Sequence, residues 1–286
     1  MLAIFLSTSL ASAAIDPACQ SVADQGVPDD YSEQGQQDWL LNYFSMVGAF
    51  SPLHSAIPHK PGTGAIGVEL AVIPPVSCEH RLVLAYTKTE DTNKLPVLPR
   101  PRMSFALPAS NIGSQVIVPY GGLGYVPPLP LPDSASLDGG NMQNTIVSIE
   151  AGFGGGNADF TGLQYGARFH ATVMKTVAEI ATPFDSSATV SYKDLYLGST
   201  FGIDAMVGWG MENINPYLAL GFLDVSTFFY IDDDAVITNN ETPYAGLTAA
   251  TGLAWSPKPW LEVAAEVYAV PGYVYTGKTR LSYIFK

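Results

Sequence analysis

A chain of 286 residues with a net charge of −13, 14% charged and 11% aromatic residues, 27 Gly and 22 Pro is not disordered, because disorder goes with few aromatics and high charge. No uninterrupted apolar run approaches the roughly 18 residues of a spanning helix, and the acidity argues against nucleic acid or an anionic lipid surface as partner. A mean hydropathy of +0.17 without such a helix, with many Tyr and Gly, leaves two all-β classes: a secreted sandwich or a transmembrane barrel.

The first residues, "MLAIFLSTSLASAA" (1–14), have the apolar core and small-residue cleavage site of a secretory signal, without the positive charge that normally precedes it. A buried N-terminal strand is the alternative. Export leads to an oxidising compartment, where Cys19 and Cys78, the two cysteines of the chain, are expected to pair; two free thiols are the alternative. Residues 15–38 are polar and acidic, with little to bury, and read as a periplasmic leader.

From residue 39 to 286 the pattern becomes short alternating runs bounded by Gly, Pro, Asn or Asp, the mark of strands. Twelve are legible: Leu40 to Phe50, Gly64 to Ile73, His80 to Lys88, Pro101 to Pro108, Ser114 to Val126, Gln143 to Phe153, Thr161 to Lys175, Tyr196 to Gly210, Asn215 to Phe229, Tyr244 to Ser256, Trp260 to Val270 and Gly277 to Phe285. The stretch Trp39 to Phe50 also reads as an amphipathic helix plugging the lumen. Connections alternate between long ("SPLHSAIPHKPGT", "TEDTNKLPVLPR", "YIDDDAVITNNET") and short ("PPVSCE", "MENI"), as periplasmic turns and outer loops do, whereas a sandwich has no reason to alternate. In this topology Cys78 falls in a short turn on the leader's side, so a disulfide would tie the leader to the barrel base.

Residue parity tests this reading, since successive residues point to opposite faces. Val68, Leu70 and Val72 oppose Glu69; Val147, Ile149 and Ala151 oppose Glu150; Phe201, Ile203 and Ala205 oppose Asp204; Leu261, Val263, Ala265 and Val267 oppose Glu262 and Glu266. Arg81, Arg102 and Arg280 lie opposite Leu82 and Leu84, Met103 and Phe105, and Leu281, Tyr283 and Phe285. In "GLQYGARFHATVM", Arg168 and His170 take the inner parity, with partners expected in Glu150 and Asp204. Mid-strand charge thus avoids the face that would meet hydrocarbon, where Arg or Lys costs about 2–4 kcal/mol; Lys88, Lys175 and Asp224 break the parity, but near strand ends, where that cost falls towards zero. Trp209, Trp255, Trp260, Tyr273 and Tyr275 sit where interfaces belong.

The chain ends "RLSYIFK". Here it resembles bacterial outer-membrane β-barrel proteins, whose last strand ends in an aromatic residue with Tyr or another apolar residue two positions before it; Lys286 after the aromatic is a departure. The resemblance implies an all-β transmembrane antiparallel barrel of about twelve strands in the outer membrane of a Gram-negative bacterium. It also implies contact with outer-membrane lipid and delivery to the barrel assembly machinery through Tyr283 and Phe285.

The expected lumen charges, Glu69, Glu150, Asp204, Glu262 and Glu266 against Arg81, Arg102, Arg168, Arg280 and His170, either pair to fill a narrow barrel or line a path selecting small solutes by charge. The channel is the preferred reading and a closed anchoring barrel the alternative. An enzyme is not expected. Outer-membrane phospholipases use a Ser and His in an "HxS" arrangement, and no Ser lies two residues after His170. His54 and His59 read as solvated residues of a Pro-rich loop. Asp232 to Asp234 with Asn239, Asn240 and Glu241 read as an acidic loop rather than a Ca²⁺ site, so no cofactor or metal is expected.

Overall fold

The computed structural model describes residues 15–83, 85–89, 97–130, 142–180, 192–231, 238–239 and 243–286; the signal-like residues 1–14 and nearly all of the acidic loop lie outside this set. The chain forms an up-and-down antiparallel barrel of ten strands. They are β1 Gly64–Val72, β2 Val97–Ala106, β3 Gln115–Pro130, β4 Met142–Asn157, β5 Gly162–Ile180, β6 Tyr192–Gly210, β7 Ile214–Ile231, β8 Ala245–Lys258, β9 Leu261–Val270 and β10 Val274–Phe285. Each strand pairs with the next, and β10 closes on β1 in a register running from Gly64 opposite Phe285 to Ala71 opposite Lys278. Closure leaves no edge with unpaired backbone groups, the condition for a sheet to sit in hydrocarbon.

The expected count of twelve is reduced by two. Leu40 to Phe50 is not a strand: Glu33–Val47 is a helix, capped at its start by the Ser32 hydroxyl, which accepts from the Gly35 amide at 3.2 Å. His80 to Lys88 is not in the barrel either: Cys78–Arg81 forms one helical turn, and Leu82–Val83 pairs with Lys88–Thr89 in a ribbon of its own.

Alternation along the wall is regular. In β1, Ile66, Val68, Leu70 and Val72 are exposed, while Ala65, Glu69 and Ala71 are buried. In β10, Leu281, Tyr283 and Phe285 point out, and Lys278, Arg280 and Ser282 point in. The outer surface carries exposed Ile149, Phe169, Phe201, Ile203, Val207, Leu220 and Val267, and Trp209, Trp255 and Trp260 stand exposed near one rim. Such a band is far larger than the apolar patches of water-soluble monomers.

The two ends of the barrel differ. Residues 107–114, 158–161, 211–213 and 259–260 connect strands at the end where β1 starts and β10 finishes; residues 73–96, 131–141, 181–191 and 232–244, with the short turn 271–273, connect them at the other end. The helix Glu33–Val47 stands at this long-loop end. Trp39 stacks with Tyr273, at 6.0 Å between centroids, and lies 3.7 Å from the His80 ring, and the Tyr43 hydroxyl donates to the Pro74 carbonyl. The segment then descends through the lumen and emerges at the short-turn end, where the Gly62 amide donates to the Ala106 carbonyl at 3.0 Å and the Ala106 amide to that of Thr63 at 2.9 Å. The chain therefore threads its own barrel before starting β1.

Cys19 and Cys78 form a disulfide, with Cα atoms 5.3 Å apart. It lies at the long-loop end, opposite to the end expected for it. The reason is the helix: once the run at Leu40 is a plug and not a strand, β1 rises from the short-turn end and Cys78 follows its far end. Around the disulfide, Cys19, Leu82 and Tyr86 pack with Ile15, Val22 and Tyr31 into a small apolar cluster, forming a cap beside the barrel mouth.

Candidate functional site

Register places the inward charges in one belt. Glu69 on β1 faces Arg280 on β10 and Arg100 on β2; Glu150 on β4 faces His170 on β5; Arg168 on β5 faces Asp204 on β6; Glu266 on β9 faces Lys278 on β10. All of these side chains are buried, as are Arg102 and Glu262. Among the described residues, five buried wall carboxylates (Glu69, Glu150, Asp204, Glu262, Glu266) meet five buried cations (Arg100, Arg102, Arg168, Lys278, Arg280). The belt is thus neutral when its histidines are uncharged.

Pairing is dense. Arg100 binds Glu69; Arg102 lies 3.3 Å from Glu69 and 2.9 Å from Glu150; Arg168 bridges Glu150 at 3.3 Å and Asp204 at 3.6 Å; Arg280 binds Glu262. His170 Nε2 lies 3.5 Å from Asp204. Buried charges persist where partners of opposite sign and further hydrogen bonds satisfy them.

The further hydrogen bonds go to the threaded segment. Arg100 donates to the carbonyls of Gly48 (2.8 Å) and Ala49 (3.4 Å), Lys278 to Ala49 (2.9 Å), Arg168 to Phe50, and Arg102 to Ser51 (2.9 Å) and Pro52 (2.7 Å). Five consecutive carbonyls are held by four wall cations. Glu266 in turn accepts from the Leu53 amide at 2.9 Å. The helix ends at Gly48, where carbonyls lose their internal partners and the helix dipole is negative, so cationic donors are favoured at that point. The Phe50 ring lies beneath three guanidiniums, with Arg102 at 3.9 Å, Arg100 at 4.9 Å and Arg168 at 5.9 Å from its centroid.

Below the belt the wall yields to the segment's backbone. A Cβ on Gly154 would strike the Ala56 carbonyl, and one on Gly208 would strike the Ser55 hydroxyl. Close approach of backbone requires glycine at Gly154, whereas at Gly208 the Ser55 hydroxyl would have to turn aside. His54 and His59, read from sequence as solvated, are buried in the segment: His54 lies 3.5 Å from Glu150, and His59 accepts or donates a 2.7 Å bond with Ser104 and lies 3.9 Å from Glu262.

Arg81 is the one expected lumen residue that is elsewhere. It sits in the cap, paired with Asp16 at 2.9 Å, because its run is a helical turn outside the barrel. The Ala18 amide and this guanidinium hold the Asp16 carboxyl below its usual range. Arg100 and Lys278 join the belt without having been expected there. Arg100 stands between Pro99 and Pro101 and reads as loop; Lys278 shares its parity with Arg280, a signal that was available. Among the described residues no group of three or more His, Cys, Asp or Glu could hold a metal ion.

These features define a closed β-barrel with a lipid-type outer face and a lumen occupied by its own chain. Its structural neighbours are bacterial outer-membrane β-barrels. They include Ail of Yersinia pestis in complex with the heparin analogue sucrose octasulfate, at 12% identity over 79% of this chain and 100% of that one with a TM-score of 0.35. The translocator domain of autotransporter NalP from Neisseria meningitidis matches at 10% identity over 80% and 89%, TM-score 0.42. The β domain of the Bordetella autotransporter BrkA matches at 9% identity over 78% and 98%, TM-score 0.38. No protein-family model matches the chain, and no curated protein does. Scores this low carry no argument, and the functional reading rests on the geometry of this chain.

Proposed function

We propose that the protein is an outer-membrane barrel of a Gram-negative bacterium, closed in its resting form, that anchors the Cys19–Cys78 cap at the outer face. The short-turn end then faces the periplasm and the long loops face outward, and the last strand, with Tyr283 and Phe285, is the element offered to the barrel assembly machinery. The observation that carries this reading is the grip of four wall cations on the carbonyls of residues 48–52. The charges of the lumen are spent on holding the plug, and the belt residues are buried rather than bathed. A wall lining an open path would leave such side chains in contact with water. The channel reading requires the segment 33–63 to leave; the vacated belt would then be a charge-lined passage for small solutes.

Planar-bilayer recording with purified full-length protein tests this. Wild type is expected to insert without current steps, whereas Arg102→Ala, which frees two carbonyls and removes the nearest of the three guanidiniums over Phe50, is expected to conduct or flicker. Steady ion-selective conductance by wild type would overturn the closed reading in favour of the channel.

A further inference from the structure

At the long-loop mouth, the first two turns of the helix Glu33–Val47 and the disulfide-tied cap enclose a hollow of about 350 Å³, within the roughly 300–1,000 Å³ of small-molecule sites. Gln36 and Trp39 come from the helix, Glu79 and His80 from the cap, and Asp30 and Tyr31 from the chain just before the helix. The polar groups are acceptors. Gln36 is buried, and its amide nitrogen donates to the carbonyls of Glu79 (3.1 Å) and Leu82, which leaves its Oε1 as an acceptor with no partner. Asp30 and Glu79 are exposed. Burial raises the Tyr86 pKa and both carboxylates raise it further, so the two lie close enough to act on one group. Burial also keeps His80 below its ordinary 6.5, so its ring adds no positive charge near neutral pH. Among the described residues no lysine or arginine lines the hollow, and neighbouring Arg81 is turned to Asp16 at 2.9 Å. A helix start favours an anion, but here the Gly35 amide is already held by the Ser32 hydroxyl at 3.2 Å.

We propose that this hollow binds a small organic cation, an ammonium or guanidinium group on an apolar body, and that its occupation fastens the plug to the cap. The carboxylates of Asp30 and Glu79 and the Gln36 Oε1 receive the N–H donors of the ligand, and ionised acceptors make the stronger of such bonds. Tyr31 and Trp39 supply apolar surface for its body. A metal ion does not match, since among the described residues no group of three or more His, Cys, Asp or Glu could hold one. The site is shared between two elements, with Gln36 and Trp39 on the helix and Glu79 and His80 on the cap. A ligand that touches both binds best when they are apposed, so binding favours the seated plug by mass action. The fold of the mouth carries this, whichever side of a membrane it faces.

The test is calorimetric titration of purified full-length protein in nonionic detergent with benzylammonium chloride, beside neutral benzyl alcohol and anionic benzoate of similar shape. Saturable binding of benzylammonium alone is expected. Asp30→Asn and Glu79→Gln, both isosteric and at exposed positions, are each expected to weaken it by about three- to tenfold. Asp24→Asn, which alters an exposed carboxylate that accepts from Gln20 outside the hollow, is expected to leave it unchanged. Absence of saturable binding, or equal binding of benzyl alcohol, would overturn the cation site. An equal effect of Asp24→Asn would reduce it to general attraction by the net charge of −13. For the fastening, amide hydrogen exchange read by mass spectrometry is expected to slow at residues 33–39 and 78–82 together when benzylammonium is added. Slowing at 78–82 alone would overturn the coupling to the plug. Steady conduction by wild type would defeat the closed lumen without touching the titration, so the two proposals fail separately.

Discussion

Two halves of one lumen hold the same chain by opposite means. Towards the long loops the chain is helical, and Leu40, Tyr43, Met46 and Val47 pack against a wall of Leu223, Val225, Tyr268, Val270 and Val274. A helix satisfies its own backbone, so its wall has only to match apolar side chains. Beyond Gly48 the chain is irregular, its carbonyls are no longer paired in helical order, and the wall supplies Arg100, Arg102, Arg168 and Lys278. An unpaired buried carbonyl costs about 1–3 kcal/mol, so the wall's charge belongs where the helix stops. The position of the belt follows from the plug's secondary structure, with no solute needed to explain it.

The sharpest way to break this contrast is to remove one member from each half. Arg102→Leu takes one cationic partner from each of Glu69 and Glu150, leaving them Arg100 and Arg168, and releases the carbonyls of Ser51 and Pro52. A loss of about 3–5 kcal/mol is expected, the usual result of breaking a buried pair from one side. Met46→Ala, in the apolar half, leaves a cavity and no unpaired group. Its loss is expected near the lower end of the about 2–5 kcal/mol range for such truncations, because neighbouring side chains can relax into the space. Urea unfolding in lipid vesicles, followed by heat-modifiable migration, measures both. Equal losses would mean that the belt holds the plug no more specifically than packing does.

How much of this was legible beforehand depended on period. The ten wall strands show residue parity of two, and Glu69, Glu150, Arg168 and Asp204 could be placed on the inner face because hydrocarbon on the outer face forbids them. The helix was harder to recognise. Enclosed on all sides by the lumen, Trp39, Leu40, Leu41, Tyr43, Phe44, Met46 and Val47 bury nearly its whole circumference, so no single apolar stripe marks it. Its signal was at the ends: Ser32 as cap, Gly48 as stop, and two polar turns between Ser32 and Trp39 that a strand would not need. One misread element then inverted the side assignments from the segment before β1 to the connection after it, including that of Cys78. The run at His80 failed for a different reason, since in nine residues alternation cannot be told from the chance spacing of a disulfide-tied cap.

A smaller effect isolates close approach from charge. Gly154→Val puts a branched side chain against the Ala56 carbonyl, whereas at Gly277, on the outer face, an added Cβ meets nothing within 4 Å. The first substitution is expected to cost about 1–3 kcal/mol through overpacking and to give current steps in bilayers as the plug shifts. The second is expected to stay within about 0.5 kcal/mol and to remain silent. Similar behaviour of the two variants would show that the plug does not rely on the wall's inner glycines.

The smallest effect concerns the cap, and its sign follows from His80. The imidazole is packed against Trp39, and burial pushes its pKa below the ordinary 6.5, with Glu79 opposing. The opened cap therefore takes up a proton at higher pH than the closed cap. Closure is unaffected above pH 6.5, weakens as pH falls below it, and has lost this contribution once pH is below the folded value. Asp16, held below its ordinary 3.8, stays ionised throughout that window and contributes no change until far more acid conditions. Titrating wild type from about pH 7.5 to about pH 5 and subtracting the signal of Trp39→Phe is expected to give a fluorescence transition centred below 6.5. His80→Gln is expected to abolish it, while Glu79→Gln, which removes the opposing carboxylate, is expected to move it to lower pH. A transition that survived His80→Gln would place the acid sensitivity of the mouth on some other group and detach the cap from the Trp39 stack.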